Sequence, residues 1–529
     1  MSSSSRPLDI VIFGATGFTG AFVCLELARI LSKSSSSTLS LFSSSSSTKP
    51  IKFGIAGRSQ ARLNDVLQRI RTEVPDYKEN IEIISADVTN KDSLSICASK
   101  CKLIINCVGP FRFFGEPVVE ACVNNSTHYI DVTGEPEFQE RMELKYHDEA
   151  MKRQILIVPC CGFDSIPADI GCNFGVDTLR NASILPTQIE SYFTITGGPK
   201  GFRGHYATWE SAINGFGSAK DLSIVRKSYA QKYSILSLLP VYGTKPPRHN
   251  GMFWSKLMGK WSMPFMGSDA SVVRRTQRTL FLDQTNHIPS SRSYQKTTST
   301  NLSSSSSDST VAYEPKYIDN IPPLVPIQYA CYFTLKNTYF MLITLLCGSC
   351  IGILAKWRWG RKFLLQFPKL FTYGLFTHEG PSQEQMNATS FSMTIYARGY
   401  SKVLANEILS SPLYTNNRSS SKSNTVNNTS DSETSKLITK SKQNQQLPRP
   451  DTEAIVKVSG PEPGYVATPK ILLSAAFSVL QDSSLLPFSG GVFTPGAAFR
   501  NTKIIERMRS LGIDFSIVQA PKSILTPSL

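Results

Sequence analysis

Acidic residues are in short supply in this 529-residue chain. Forty Asp and Glu stand against 56 Lys and Arg, a net charge of +16. Such an excess points to an anionic partner without naming it. No zinc-finger spacing and no long Lys/Arg block accompanies it, so no nucleic-acid partner is expected. Histidine is scarcer, at six, and no His-x-x-x-His pair occurs, so no structural metal site is expected. The opening Met1–Pro7 is polar and serine-rich and lacks the apolar core of a secretory signal. The eleven cysteines are therefore expected to be reduced thiols facing the cytosol. Long hydrophobic runs are confined to one region, Asn320–Ala355, which excludes a transporter built from many spans.

Three serine-rich stretches, Ser32–Thr48, Pro289–Thr310 and Tyr414–Gln446, have few of the aromatic and β-branched residues that bury a core. They are expected to stay disordered. What is left suffices for two substantial domains.

The first ordered segment is the apolar run Leu8–Phe13. It ends in Gly14-Ala15-Thr16-Gly17-Phe18-Thr19-Gly20, and a helical pattern follows at Ala21–Leu31. Strand, glycine-rich turn and helix form the context in which a backbone approaches a pyrophosphate and the amides of a helix start hold it. Ala15 stands where the common fingerprint has its first glycine. An ordinary tight turn between strand and helix is the plain alternative.

The second strand is read at Ile51–Ala56. An acidic ribose ligand is usual ~20 residues beyond the loop. Arg58 lies 38 positions beyond Gly20, or 21 once Ser32–Thr48 is set aside, so Gly57-Arg58-Ser59 holds that place. A guanidinium suits the 2′-phosphate of NADP, which a carboxylate would repel. A solvent-facing Arg58 is the other reading.

Alternation then continues. Helices are expected at Ala61–Thr72, Lys91–Ser99, Glu116–Asn124 and Glu137–Arg153. Strands are expected at Ile81–Ser85, Leu103–Val108, Tyr129–Asp131 and Ile155–Val158. This predicts an α/β chain with a doubly wound parallel sheet of Rossmann type. Ligands of such sheets sit beyond the carboxyl ends of the strands. Gly14–Gly20, Arg58, Ser59, Asp87 and Val108-Gly109-Pro110-Phe111 all fall there and are the expected cofactor-binding residues. Next comes Gly162–Asp169, in which Asp164 and Ser165 would lie beside the nicotinamide. Alternatively, Ser165 only caps the following helix, with Pro167 in its first turn.

These residues resemble the saccharopine dehydrogenase-like oxidoreductases. The resemblance rests on GATGFTG, IAGRS at Ile55–Ser59, NCVGPF at Asn106–Phe111, YIDVTGE at Tyr129–Glu135 and GFDSIPAD at Gly162–Asp169. It continues in GPSQEQ at Gly380–Gln385, GPEPGYVATP at Gly460–Pro469 and GGVFTPGAAF at Gly490–Phe499. It implies a Rossmann domain over 1–165 and a second α+β domain over 166–529, with the segment 460–529 packing back towards the first. It also implies a nicotinamide cofactor, NADP(H) by the Arg58 argument, and an oxidoreductase activity, but not saccharopine as substrate. Related bacterial proteins are associated with lipid-linked reduction, and animal members with lipid droplets, mitochondria and membranes. A hydrophobic or lipid-linked substrate, a role in lipid or glycolipid metabolism and a lipid monolayer or membrane surface as partner are the corresponding expectations. A homodimer is left open.

The hydrophobic stretch fits that picture. From Asn320 to Ala355 the sole charge is Lys336, and Lys356, Trp357, Arg358, Trp359, Arg361 and Lys362 follow. As a helix, Asn337–Ala355 would reach ~28 Å, near the ~30 Å hydrocarbon core. Basic and tryptophan residues suit a headgroup layer. Pro322, Pro323 and Pro326 favour a helical hairpin in a monolayer over a span. A buried core helix is the alternative. Two catalytic candidates compete elsewhere. Tyr332-x-x-x-Lys336 copies the pair of short-chain reductases but lies far from the Rossmann strands and is taken as chance. His205 could donate a proton, with Thr208 and Ser211 orienting substrate. The rival to an enzyme is an NADP-binding scaffold or sensor on lipid droplets, suggested by the lack of a clear proton donor.

Overall fold

In the computed structural model the described residues are 6–33, 41–42, 50–217, 219–233, 242–284, 321–410 and 448–524. The serine-rich stretches lie outside them, apart from a few residues of the first. There Leu41 and Phe42 are not disordered: the Phe42 ring packs edge-on against Phe477 at 4.9 Å, and the Leu41 carbonyl accepts from Arg507 Nε at 3.0 Å. Two apolar residues amid serines find a hydrophobic partner supplied by the far end of the chain.

The first sheet collects β1 (Leu8–Phe13), β2 (Phe53–Gly57), β3 (Glu82–Ser85), β4 (Cys101–Asn106), β5 (His128–Asp131) and β6 (Leu156–Val158). The second collects β7 (Leu185–Thr196), β9 (Phe253–Ser255), β10 (Lys260–Pro264), β11 (Gln328–Thr334), β13 (Ser390–Tyr400), β14 (Thr452–Pro461) and β16 (Asp514–Ser523). A short pair joins β8 (Gly204–His205) to β12 (Phe376–Thr377), and β15 (Gly491–Val492) returns to the first sheet.

The first sheet runs β15-β6-β5-β4-β1-β2-β3, and every pairing is parallel. Its central strands are buried on both faces, as their near-continuous apolar runs require. Helix Phe18–Ser32 covers one face together with Thr468–Gln481, and the Phe111–Asn124 and Pro136–Lys152 helices cover the other. The strands and helices expected up to Val158 are all present, with ends shifted by a few residues.

The second sheet runs β16-β14-β13-β7-β11-β10-β9 and is antiparallel except for β11 beside β7. Helix Ile166–Arg180 packs on β13 and β14, where Gly171 and Gly175 let it come close to Ile395 and Ala397. The carboxyl ends of β7 and β11 face the carboxyl ends of the first sheet across a cleft.

The expected helical hairpin is corrected. The first half of Asn320–Ala355 supplies β11, a strand laid between β7 and β10. Its Tyr329, Tyr332 and Phe333 are residues that favour a pleated, half-buried surface. The second half is a 17-residue helix, Thr338–Leu354, begun by the Asn337 side chain accepting from Phe340 N–H at 3.0 Å. None of its residues is buried, which also overturns the core-helix alternative. Among the described residues no helix is long and apolar enough to cross a membrane.

Candidate functional site

The cleft encloses about 1680 Å³. Small-molecule sites usually measure ~300–1,000 Å³, so a dinucleotide leaves room to spare. One end is built by the glycine loop. Gly14 has φ +84, and a Cβ there would press on Val108 at 2.6 Å. Gly17 stands at the helix start with no side chain capping the first-turn amides. An uncapped helix start facing a cleft holds unsatisfied N–H donors and the positive end of the helix dipole, which together suit a diphosphate. Gly14, Thr16, Gly17, Phe18 and Thr19 line the cleft. Gly20 does not: its α-carbon packs on the Gly14 carbonyl, and its role is to let helix and loop touch.

Arg58 lines the cleft from the end of β2 and is exposed. Arg62, one helical turn on, lines it too and donates to the Thr16 carbonyl at 3.1 Å. Sequence reasoning missed this second cation, although its place in the first turn of the Gln60–Glu73 helix was readable. Ser59 lies outside the cleft lining and caps the next helix, its hydroxyl accepting from Arg62 N–H. Asp87 also lies outside the cleft lining. Its carboxylate takes the Thr89 amide at 2.9 Å and the Thr89 hydroxyl at 2.8 Å. These bonds, with a smaller contribution from Arg58, hold its pKa below the usual range.

Val108, Gly109, Pro110 and Phe111 line the next section. The amides of Phe111 and Arg112 donate to Glu135, each at 3.0 Å, as does the Ser211 hydroxyl at 3.2 Å. Burial raises the Glu135 pKa. Glu135 thus caps the start of the Phe111–Asn124 helix and fixes one cleft wall, a part the sequence reading had not assigned.

Asp164 lines the cleft after β6, with its carboxyl fitted against Gly134 and Gly267, where a side chain on either would collide with it. Burial pushes its pKa up to about 7. Nearby Asp269 is driven well above the carboxylate range by burial first, then by Asp164 and Asp169. Ser165 is corrected: it is 1% exposed, outside the cleft lining, and its hydroxyl meets Ser268 Oγ at 2.7 Å. It stands at the start of the next helix without capping it.

His205 lines the cleft, stacked on Phe18 at 4.4 Å. Its amide donates to Tyr465 Oη at 2.7 Å, and its Nδ1 accepts from Ala207 N–H at 3.1 Å. Burial, then His378, lowers its pKa from the ordinary imidazole value. Tyr465, unassigned from sequence, packs edge-on to Phe18 at 4.7 Å, and burial lifts its phenol to about 12. Tyr332 faces away, donating to the Pro247 carbonyl at 2.9 Å, so Tyr332 and Lys336 form no catalytic pair.

Cys347 and Cys350 stand in Cys-x-x-Cys spacing on the exposed helix, a pair the sequence reading passed over. Among the described residues no group of three or more His, Cys, Asp or Glu is placed to hold a metal.

The family model described as "Saccharopine dehydrogenase NADP binding domain" matches residues 10–158. A "Saccharopine dehydrogenase-like oxidoreductase" of Mus musculus is 36% identical over 98% of this chain and 99% of its own length. A "Probable mitochondrial saccharopine dehydrogenase-like oxidoreductase" of Arabidopsis thaliana is 32% identical over 99% of this chain and 100% of its own. A "Lipid droplet localized protein" of Caenorhabditis elegans is 28% identical over 96% of this chain and 98% of its own.

Proposed function

We propose a function from the premise that this chain belongs to the saccharopine dehydrogenase-like oxidoreductases and binds NADP. It is an NADP-dependent oxidoreductase that moves hydride to or from a hydrophobic or lipid-linked substrate, at the surface of a lipid droplet or membrane. One observation carries the reading. A single cleft runs from Gly17 and Arg58 to Phe340 and Ile343 on the exposed apolar helix.

When bound, NADPH supplies the hydride, and the chain's own groups bind, orient and protonate. Gly17 and the uncapped helix start receive the pyrophosphate, while Arg58 and Arg62 pair with the 2′-phosphate. Asp164, with its pKa near 7, carries a proton it can give to the atom that gains charge. Glu135, next to the Gly134 that touches Asp164, holds the start of the Phe111 helix, and His205 and Tyr465 brace the glycine loop. We assign 1–165 to the cofactor and 166–529 to substrate and lipid, with the segment 460–529 packing back on the cofactor domain. The helix Thr338–Leu354 is the lipid contact, with Lys356, Arg358 and Lys362 at headgroup level. The name of the worm relative supports droplets, and that of the plant relative supports mitochondria. We place the reaction in lipid or glycolipid metabolism.

The test is purified full-length protein with NADPH, screened against dispersed lipid-linked ketones, enones and imines. Substrate-dependent loss of reduced-cofactor absorbance is the expected result. A second reading, an NADP-binding scaffold, draws on the site's thin supply of acids: Ser165 is turned away and burial makes His205 a weaker proton carrier. Tight NADPH binding with no turnover across the screen would establish the scaffold instead.

A further inference from the structure

We propose that the cleft contains a second, anion-binding subsite. Lys260 and Lys336 there hold the negatively charged head of a long-chain amphiphile, whose chain enters along Phe340 and Ile343. This rests on the hydride-transfer reading of the cleft and adds to it the charge and orientation of the substrate.

The β10–β11 ladder creates the subsite. Ser262 pairs with Thr334, and the Leu335 amide donates to the Trp261 carbonyl at 2.8 Å. Lys260 and Lys336 stand two residues beyond that pair, one on each arm, and both line the cleft. Elsewhere in the cleft wall, Arg58, Arg62 and Arg203 also lack a carboxylate among the described residues, the first two at the glycine-loop end, but two cations are matched. Lys200 bridges to Glu384, and Arg112 reaches Asp221 at 3.4 Å. Among the described residues no carboxylate lies within ion-pair reach of Lys260 or Lys336. Two unmatched like charges at the end of one ladder repel each other. A bound anion turns that repulsion into attraction, since each ammonium offers three donors.

The surroundings select the rest of the ligand. Lys336 sits two residues before Thr338, where the unburied apolar helix begins, and Trp261 Nε1 ties to Thr338 Oγ1 at 3.2 Å. Phe340, Ile343 and Leu335 line the cleft beside the lysines. A cation pair at the foot of an apolar helix matches an amphiphile, with charge at the rim and hydrocarbon beyond it. Strand β10 then leads from Lys260 to Pro264, and the chain continues to Gly267 against Asp164. At strand rise the five residues of β10 span about 13 Å. The anionic head is therefore held apart from the carbon that Asp164 serves. The favoured substrate carries its reducible bond some way down the chain from its charge.

Anionic headgroups could come from the ligand in the cleft or from bulk phospholipid, and the test separates them. Full-length protein, with and without saturating NADPH, is titrated below the micelle threshold with dodecanoate, dodecyl phosphate and dodecanol. The expected result is at least tenfold tighter binding of either anion than of the alcohol. Lys260→Glu combined with Lys336→Glu should erase that preference while leaving dodecanol and NADPH affinity and the melting temperature unchanged. The Lys260→Arg/Lys336→Arg variant should keep it. Equal affinity of wild type for anion and alcohol would overturn the subsite. So would a charge-reversed variant that loses only its preference for phosphatidylserine-containing vesicles, which would assign the lysines to the bulk surface. An intact anion preference with no turnover of any substrate would sink the oxidoreductase reading and leave the subsite standing.

Discussion

Two helices of similar length are used in opposite ways. Phe18–Ser32 carries Glu26 and Arg29 and still buries seven residues, among them Val23, Leu25 and Leu27. Thr338–Leu354 carries no charge and buries none: Leu342 is 56% exposed and Leu346 68%. Apolar character therefore does not decide burial here. The first helix packs on its sheet and beside Thr468–Gln481, which together take up its apolar stripe. The second is apolar all round and touches its neighbours mainly through the short helices at 358–371. A contiguous apolar surface of this kind marks contact with lipid or another protein.

The sharpest way to break this comparison is to place the same charge in both helices. Leu27→Asp buries an unpaired carboxylate and should cost about 3–5 kcal/mol, a large part of an ordinary domain's ~5–15 kcal/mol. Leu342→Asp with Leu346→Asp should shift stability by no more than ~0.5 kcal/mol each, yet abolish flotation with lipid droplets or vesicles. Circular-dichroism melts and flotation check both. An unfolded Leu342→Asp/Leu346→Asp protein would mean that the helix is internal after all.

Within the buried helix, Gly17→Val and Gly20→Val should part company. Valine at Gly17 fills the diphosphate space and should remove NADPH binding from a folded protein. Valine at Gly20 strikes the Gly14 carbonyl and should lower the melting temperature itself. Calorimetric titration beside thermal melts distinguishes them. A smaller effect is expected of Arg58→Ala, which should weaken NADPH by ~1.5–3 kcal/mol and leave NADH unchanged. Equal cofactor preference in the wild type would remove the 2′-phosphate argument.

The mildest change is Asp164→Asn. The Asp164 pKa, raised to about 7, lies above its unfolded value, so folding favours the protonated form. Its contribution to stability is full below the unfolded pKa and is lost as pH rises through about 7. Asp164→Asn should therefore melt higher than wild type at pH 8 and about equally at pH 4. If Asp164 donates the proton, wild-type turnover should also fall above pH 7, and the variant should lose that step. A pH-independent rate in the wild type would exclude the role.

Strands β1 to β6 of the first sheet were legible because each reports itself locally, whereas the two-residue β15 was not. Leu8–Phe13 and Lys91–Ser99 have the bounds that pattern alone assigns. The place of Arg58 at the cleft, just after β2, was legible by counting along the chain. What escaped the sequence was decided by distant partners. Leu41 and Phe42 sit among serines and become ordered only against Phe477 and Arg507. Ser165 reads like a site residue but turns to Ser268, some hundred positions away. The 321–355 stretch reads as one apolar block, because hydropathy averages over strand and helix alike. Only the neighbouring strands β7 and β10 divide it.

Strand β15 has a consequence for how the chain is made. The outer edge of β6 is covered by residues 491–492, near the end of the chain. At a synthesis rate of ~5–20 residues per second, that edge stays open for roughly tens of seconds after β6 has left the ribosome. An open strand edge is a template for wrong pairing. Biogenesis of this protein therefore has a vulnerable interval built into its gene order. A stop codon anywhere between β6 and β15 would yield a nascent dinucleotide-binding half with a permanently adhesive flank, a natural client for chaperones.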